Sequence, residues 1–299
     1  MTTRSMGPLA GFSWLTRGIS VGLRHPKPLF GGAGLLLVAC LLPTLVTMPL
    51  QFGAAITGTP MDPATFGWIM ALSILLGLLL IPLYAGYLQV IDAAERGLPA
   101  RALDIFNPYR EGDALRLIAY GLAVIALYVL IFAIVIAVTG GGLVDWYMQA
   151  MTAQTSHLPP PALPSGFGIA MALIAVLCLF MMGFYAISLG QVALNRRNLF
   201  GALGDGTSGA LKNVLPLIMF TVGAVLGWLA LAIVLMIAVF LLVLIGKFVG
   251  AWLTFVVIVP IYIALLLTMF MWMFGSMYYL WRDVCGHDAV PDVAPMIAA

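Results

Sequence analysis

Charge is scarce in this sequence. Of its 299 residues 8% are charged and 63% hydrophobic, and the mean hydropathy is +1.12. A soluble domain carries about 25% charged residues, so an ordinary water-soluble enzyme is excluded. Disorder is excluded as well, because so much apolar surface does not stay solvated. Thirteen Lys and Arg stand against eleven Asp and Glu, a net +2 that is too balanced for nucleic-acid binding. The three cysteines, Cys40, Cys178 and Cys285, lie far apart and define no disulfide framework. Cys40 and Cys178 sit in apolar runs, where a thiol behaves as a small hydrophobe.

Reactive constellations are equally sparse. His25, His157 and His287 fall in separate segments, so no pair has helical zinc spacing. Cys285, His287, Asp283 and Asp288 gather only at the C-terminal end, which reads as a flexible tail over 284–299 rather than a metal site. Gly201, Gly204 and Gly206 lack the spacing of a phosphate-binding loop. Gly246-Lys247 is followed by Phe248, not by the Ser or Thr that would hold magnesium. The expectation is a non-enzyme without a cofactor or metal.

What the sequence has in abundance is long apolar runs. Its charge-free intervals span 28–61, 63–91, 117–144, 146–195, 213–246 and 248–281. A charged group at bilayer depth costs at least ~2.5 kcal/mol, so these intervals mark membrane spans. With roughly 20 residues needed per span, they predict an all-α integral membrane protein with six transmembrane helices. The expected helices cover about 29–50, 66–91, 115–138, 167–194, 213–240 and 252–281, within a single polytopic domain over 1–283. The last two intervals exceed a hydrocarbon core of ~30 Å. Tilt, a kink at Pro260, or a re-entrant turn around Gly246 and Gly250 would absorb the excess.

Of the thirteen basic residues, all but Lys247 fall on one side of this arrangement. The positive-inside rule then places both termini in the cytoplasm. The first 28 residues lack a compact apolar core ahead of a small-residue cleavage site, so no cleavable signal is expected there. The external loop 139–166 contains an amphipathic stretch, Leu143 to Gln154, followed by Pro159, Pro160, Pro161 and Pro164. It reads either as a docking lid or as a plain connector.

The cytoplasmic segments carry an internal repeat. Gly22-Leu23-Arg24, Ala114-Leu115-Arg116 and Ala210-Leu211-Lys212 each precede an odd-numbered span, following Phe12, Phe106 and Phe200 respectively. Gln89-Val90 and Gln191-Val192 recur at the ends of the second and fourth spans. The pattern predicts three hairpins, each preceded by a short cytoplasmic interfacial helix. Arg24, Arg116 and Lys212 are then the expected contacts to anionic lipid.

Three segments carry a resemblance to a known group: Gly22 to Pro26, the loop into Asp104-Ile105-Phe106, and Asn198-Leu199-Phe200-x-Ala202-Leu203 running to Asn213 and Pro216. Together they resemble a large group of proteobacterial six-helix inner-membrane proteins, distantly similar to the membrane domain of some glycerophosphoryl diester phosphodiesterases. The resemblance implies an inner-membrane location and no particular reaction. The phosphodiesterase's catalytic barrel of ~250 residues has no room here.

Gln89, Gln191, Tyr84 and Tyr185, with Asp92, are candidates either for a polar crevice or for interhelical hydrogen bonds. Gly223 and Gly227 have the small-x-x-x-small spacing of close helix packing. Two functions follow as expectations. One is a non-enzymatic scaffold, assembly helper or accessory subunit, whose partners are membrane lipids and another membrane protein. The alternative is a passive or lipid-directed transporter or channel.

Overall fold

The computed structural model describes residues 3–57, 63–139, 142–155, 159 and 161–286. Ten α-helices follow in order among them: α1 (Ala10–Arg24), α2 (Pro26–Thr57), α3 (Pro63–Glu95), α4 (Asn107–Arg110), α5 (Ala114–Thr139), α6 (Gly142–Thr155), α7 (Phe167–Ala193), α8 (Leu199–Lys212), α9 (Val214–Val249) and α10 (Ala251–Cys285). A 3-10 turn, Ala102–Phe106, leads into α4. Helix suits long apolar runs away from water, because it satisfies backbone N–H and C=O groups within one segment.

Six helices are long and apolar enough to cross a membrane, over Pro26–Pro49, Ala64–Glu95, Ala114–Val138, Phe167–Ala193, Val214–Leu244 and Val256–Cys285. The overlong fifth and sixth runs are not broken at Gly246. α9 passes through it to Val249, and the turn is confined to Gly250, whose φ of +120° suits glycine. α10 contains Pro260 and extends to Cys285, beyond the expected end at 281, where Gly286 closes it in the left-handed region. α6 forms within the 139–166 loop, but 140–141, 156–158 and 160 lie outside the described residues, as do His287 and Asp288.

The packing follows a cyclic order. α3, α7 and α10 touch one another and form the centre. α2 packs on α3 and α10, α5 on α3 and α7, and α9 on α7 and α10. The short segments lie against the helices that precede them. The 102–110 segment rests on α3 and α2, α8 rests mainly on α7, and α1 rests on α9 and α10 at the far end of the chain. α1 thus closes the ring.

Glycines make these dockings close. A β-carbon at Gly18 would lie 2.7 Å from the Ser276 backbone nitrogen, and one at Gly275 would lie 2.7 Å from the Gly18 carbonyl oxygen. One at Gly11 would lie 2.5 Å from the Phe220 nitrogen. Gly86 meets the Ile105 backbone in the same way, and Gly206 meets the Phe184 carbonyl. Lipid tails are as apolar as leucine, so association between helices depends on such close packing rather than on a hydrophobic drive.

Burial is uneven along the bundle. Trp14, Trp281, Tyr87, Tyr279, Phe184 and Phe274 are all fully buried where the short helices meet the ends of α3, α7 and α10. The most apolar window of α9 has none of its residues buried.

Replacing Gly18 with Leu should destabilise the detergent-purified protein by at least the ~1–3 kcal/mol of an overpacked core. Gly204, beside which there is open space, should accept Ala with a gain of about 0.5–1 kcal/mol. Thermal melts of both variants check the pair, and equal melting points would count against a close α1–α10 crossing.

Candidate functional site

The close crossing of α1 and α10 assembles a charged network at the end of the bundle that holds the chain's basic residues. Glu95, on the last turn of α3, is its hub, with a side chain only 6% exposed. The Tyr279 hydroxyl donates to Glu95 Oε2 at 2.5 Å. Arg24 lies 3.0 Å from Oε1, His25 3.7 Å from Oε1, and Arg282 3.9 Å from Oε2. The Arg24 guanidinium also donates to the Tyr279 hydroxyl at 2.7 Å. Burial works against the Arg24 charge, but Tyr279 and Glu95 hold its pKa above the ordinary arginine value.

Two further carboxylates extend the network. Asp92 accepts from the Tyr278 hydroxyl at 3.0 Å and pairs with Arg96 at 3.0 Å. Asp283 accepts from the Trp14 indole at 3.0 Å and is ion-paired with Arg17. The guanidinium of Arg17 sits 4.6 Å from the centre of the Tyr279 ring, and that of Arg282 sits 4.7 Å from it. Cations stacked on a phenol and paired with a carboxylate are held in place on two sides. The arrangement ties α1, α3 and α10 together.

A second group joins α7 to α8. Gln191 is fully buried and donates to Asp205 Oδ2 at 3.1 Å, while its Oε1 accepts from Asn195 at 2.6 Å. Arg197 pairs with the same Asp205 carboxylate at 2.6 Å. Gln89 donates to the Ala193 carbonyl at 3.1 Å, capping the end of α7 from α3. A third group lies deeper. Tyr84 and Cys40 are 3.6 Å apart, Tyr120 and Ser188 2.7 Å, and Tyr185 stacks on Tyr120 with ring centres 6.5 Å apart.

The five crevice candidates therefore fall into different groups. Asp92 belongs to the charged network, Gln191 to the α7–α8 junction, Gln89 to the end of α7, and Tyr84 and Tyr185 to the deeper aromatic layer. Gly223 packs against Leu15 and Phe12 of α1, and Gly227 faces Trp272 of α10.

The three helix-start triplets share one geometry. Leu23, Leu115 and Leu211 are all strongly exposed, at 72%, 77% and 62%. Their basic neighbours bond back onto the protein. Arg24 binds Tyr279 and Glu95, Arg116 donates to the Val192 carbonyl at 3.2 Å, and the Lys212 ammonium donates to the Thr3 carbonyl at 3.1 Å. The N-terminal strap is laced down further, with Met6 N donating to Asn213 Oδ1 at 2.7 Å and Arg4 N to the Val284 carbonyl at 2.8 Å.

Glu95, Tyr279, Asp283, Arg17 and Asp205 did not emerge from the sequence as site residues. The signal for them is weak: aromatic and charged residues at helix ends, whose partners lie as many as 269 positions away.

Fold and side-chain arrangement together point to a multi-pass α-helical membrane protein, with six helices long and apolar enough to cross a membrane and a tied, polar basic end. Comparison of the chain with known protein families, with curated proteins and with solved structures gives no match.

In a double-mutant cycle between Glu95→Gln and Tyr279→Phe, the coupling energy should be about 1.5–3 kcal/mol, the range for a hydrogen bond to a charged group. Chemical unfolding in micelles measures it. A coupling near zero would mean that the arginines alone hold the carboxylate.

Proposed function

We propose that this protein is a non-enzymatic scaffold, assembly helper or accessory subunit of the bacterial inner membrane, with both termini cytoplasmic. The observation that carries the proposal is the contrast between the two ends of the bundle. At the basic end the polar side chains described above are bonded to partners within the chain. At the other end α9 and the first half of α10 present apolar side chains around their circumference, among them Leu226, Leu229, Val234, Phe240, Val256 and Tyr262. Helices of 36 and 35 residues, about 50 Å long at ~1.5 Å per residue, exceed a ~30 Å hydrocarbon core. Another membrane protein packed along this arm is the partner such a surface suits.

The proposal includes a threefold internal repeat of short interfacial helix plus hairpin. It is supported by the cyclic packing order and by the exposed leucine and protein-bound cation that the three triplets share. The outward leucines suit the headgroup boundary. Kinship with the proteobacterial six-helix group belongs to the same reading and rests on the helix-start motifs. Cytoplasmic termini are supported by the gathering of basic residues at one end of the bundle.

One observation favours the alternative, a passive or lipid-directed transporter. α5 and α7 leave a groove of about 390 Å³ between them, lined by Tyr128, Phe132, Val135, Ile174, Cys178 and Met181 among others. Its walls are apolar, and it lies within two membrane-crossing helices.

A photo-crosslinking residue at Leu229 or Val234 should capture one protein neighbour in native membranes, while the same residue at Val176 on α7 should not. Capture of lipid alone at all three positions would move the function to the transporter reading. A reporter fused after Gly142 should be reached by external reagents only, and labelling from the cytoplasmic side would overturn the topology.

A further inference from the structure

A cleft of about 260 Å³ opens at the basic end between the start of α2 and the chain leaving α3. It is lined by His25, Pro28, Ala94, Gly97, Leu98 and Ala100. Gly97 turns the chain out of α3 with a φ of +69°, and a β-carbon at Gly31 would press on Ala102 at 2.8 Å, so the two sides of the cleft are held close. Glu95, buried behind it, faces His25 and fixes one wall.

The charges around this cleft do not cancel. Arg24 is balanced by Glu95 and Arg96 by Asp92. Lys27 and Arg101 are exposed, each next in sequence to a lining residue, and neither side chain has a carboxylate partner among the described residues. Asp104, three positions on, spends its Oδ2 on the Arg101 backbone N–H at 2.7 Å. Even with the single charge of Asp104 set against them, Lys27 and Arg101 leave a net positive charge beside the cleft.

The same corner is rimmed by apolar side chains. Leu98 and Leu103 are exposed at 56% and 55%, and Leu23 projects from the end of α1 just ahead of His25. Exposed leucines beside unpaired cations, at the ends of helices that cross a membrane, match the composition of a bilayer interface, with acyl chains below and phosphates above.

We propose that this cleft is a binding site for the phosphate of an anionic phospholipid, with Lys27 and Arg101 contacting the phosphate, His25 forming the wall, and Leu23, Leu98 and Leu103 meeting the lipid's chains. The site is distinct from Arg24, Arg116 and Lys212, whose charged groups are engaged within the protein. It does not depend on the scaffold reading, because a transporter could hold the same lipid.

The test uses the full chain in dodecylmaltoside micelles, with binding of dioleoylphosphatidylglycerol followed by native mass spectrometry and by thermal stabilisation. Dioleoylphosphatidylcholine and inorganic phosphate serve as comparison ligands. The K27Q/R101Q variant should bind phosphatidylglycerol about 30-fold more weakly, the loss for two interfacial charges. R110Q, which removes an exposed cation away from the cleft lining, should bind as the parent does, and so should the charge-conserving K27R/R101K. Equal loss in R110Q would reduce the effect to general surface charge and overturn the site. Unchanged binding by K27Q/R101Q, or failure of K27R/R101K to bind, would overturn it too. Displacement of the lipid by millimolar inorganic phosphate would replace the lipid site with one for free phosphate.

Discussion

The basic end of the bundle depends on two backbones coming within a few ångströms of each other. Where α1 crosses α10, Gly18 and Gly275 leave no room for a β-carbon on either side. That approach sets the positions of everything hung on the two helices. It brings Arg17 and Trp14 to Asp283 one way along the crossing, and Arg24 to Tyr279 and Glu95 the other. Opening the crossing by one side chain would lengthen all of these bonds together, and Glu95 would remain buried with fewer donors. A buried carboxylate that loses a partner is costly, so close packing and charge pairing reinforce one another here.

The same crossing joins the beginning of the chain to its end. α1 and the strap before it rest on α9, α10 and Asn213, whereas the 102–110 segment and α8 each rest on helices immediately preceding them. The three dockings become equivalent only when the chain is taken as a ring. On the repeat reading, the first interfacial helix completes the last hairpin. Folding of the N-terminal residues into place must then await synthesis of α10.

How much of this is legible in the sequence depends on the distance over which each feature is determined. The six apolar runs are local properties, and the structure has six helices in those positions. The expected bounds of 213–240 and 252–281 fall short of the helices themselves: α9 runs on through Lys247 to Val249, and α10 passes Arg282 to Cys285. The leucine-basic triplets were visible as a pattern, but nothing in the pattern tells that the leucine stays free while the cation bonds to other parts of the protein. That division depends on carboxylates and carbonyls from other helices. Gln89 and Gln191 appeared equivalent from their repeated Gln-Val context, yet one caps a carbonyl of α7 and the other binds a buried aspartate of α8. Glu95 was the largest omission. It reads as an ordinary charged residue at the end of a span until α1 and α10 are folded against it.

The division of labour between the two ends of the molecule limits what kind of action it can support. Ion pairs, cation–aromatic contacts and glycine crossings concentrate at the basic end, and each restricts relative motion of α1, α3 and α10. Among the described residues the outer part of α9 has no such restraint, and its exposed side chains, Val234, Phe240 and Leu241 among them, face what lies beside the protein. A rigid base carrying long apolar helices can present those helices at a fixed angle and depth, which is what recognition of another helix in lipid requires, since packing there depends on geometry more than on hydrophobicity. Loss of the Glu95 hub would on this account change the orientation of the arm without altering any residue on it.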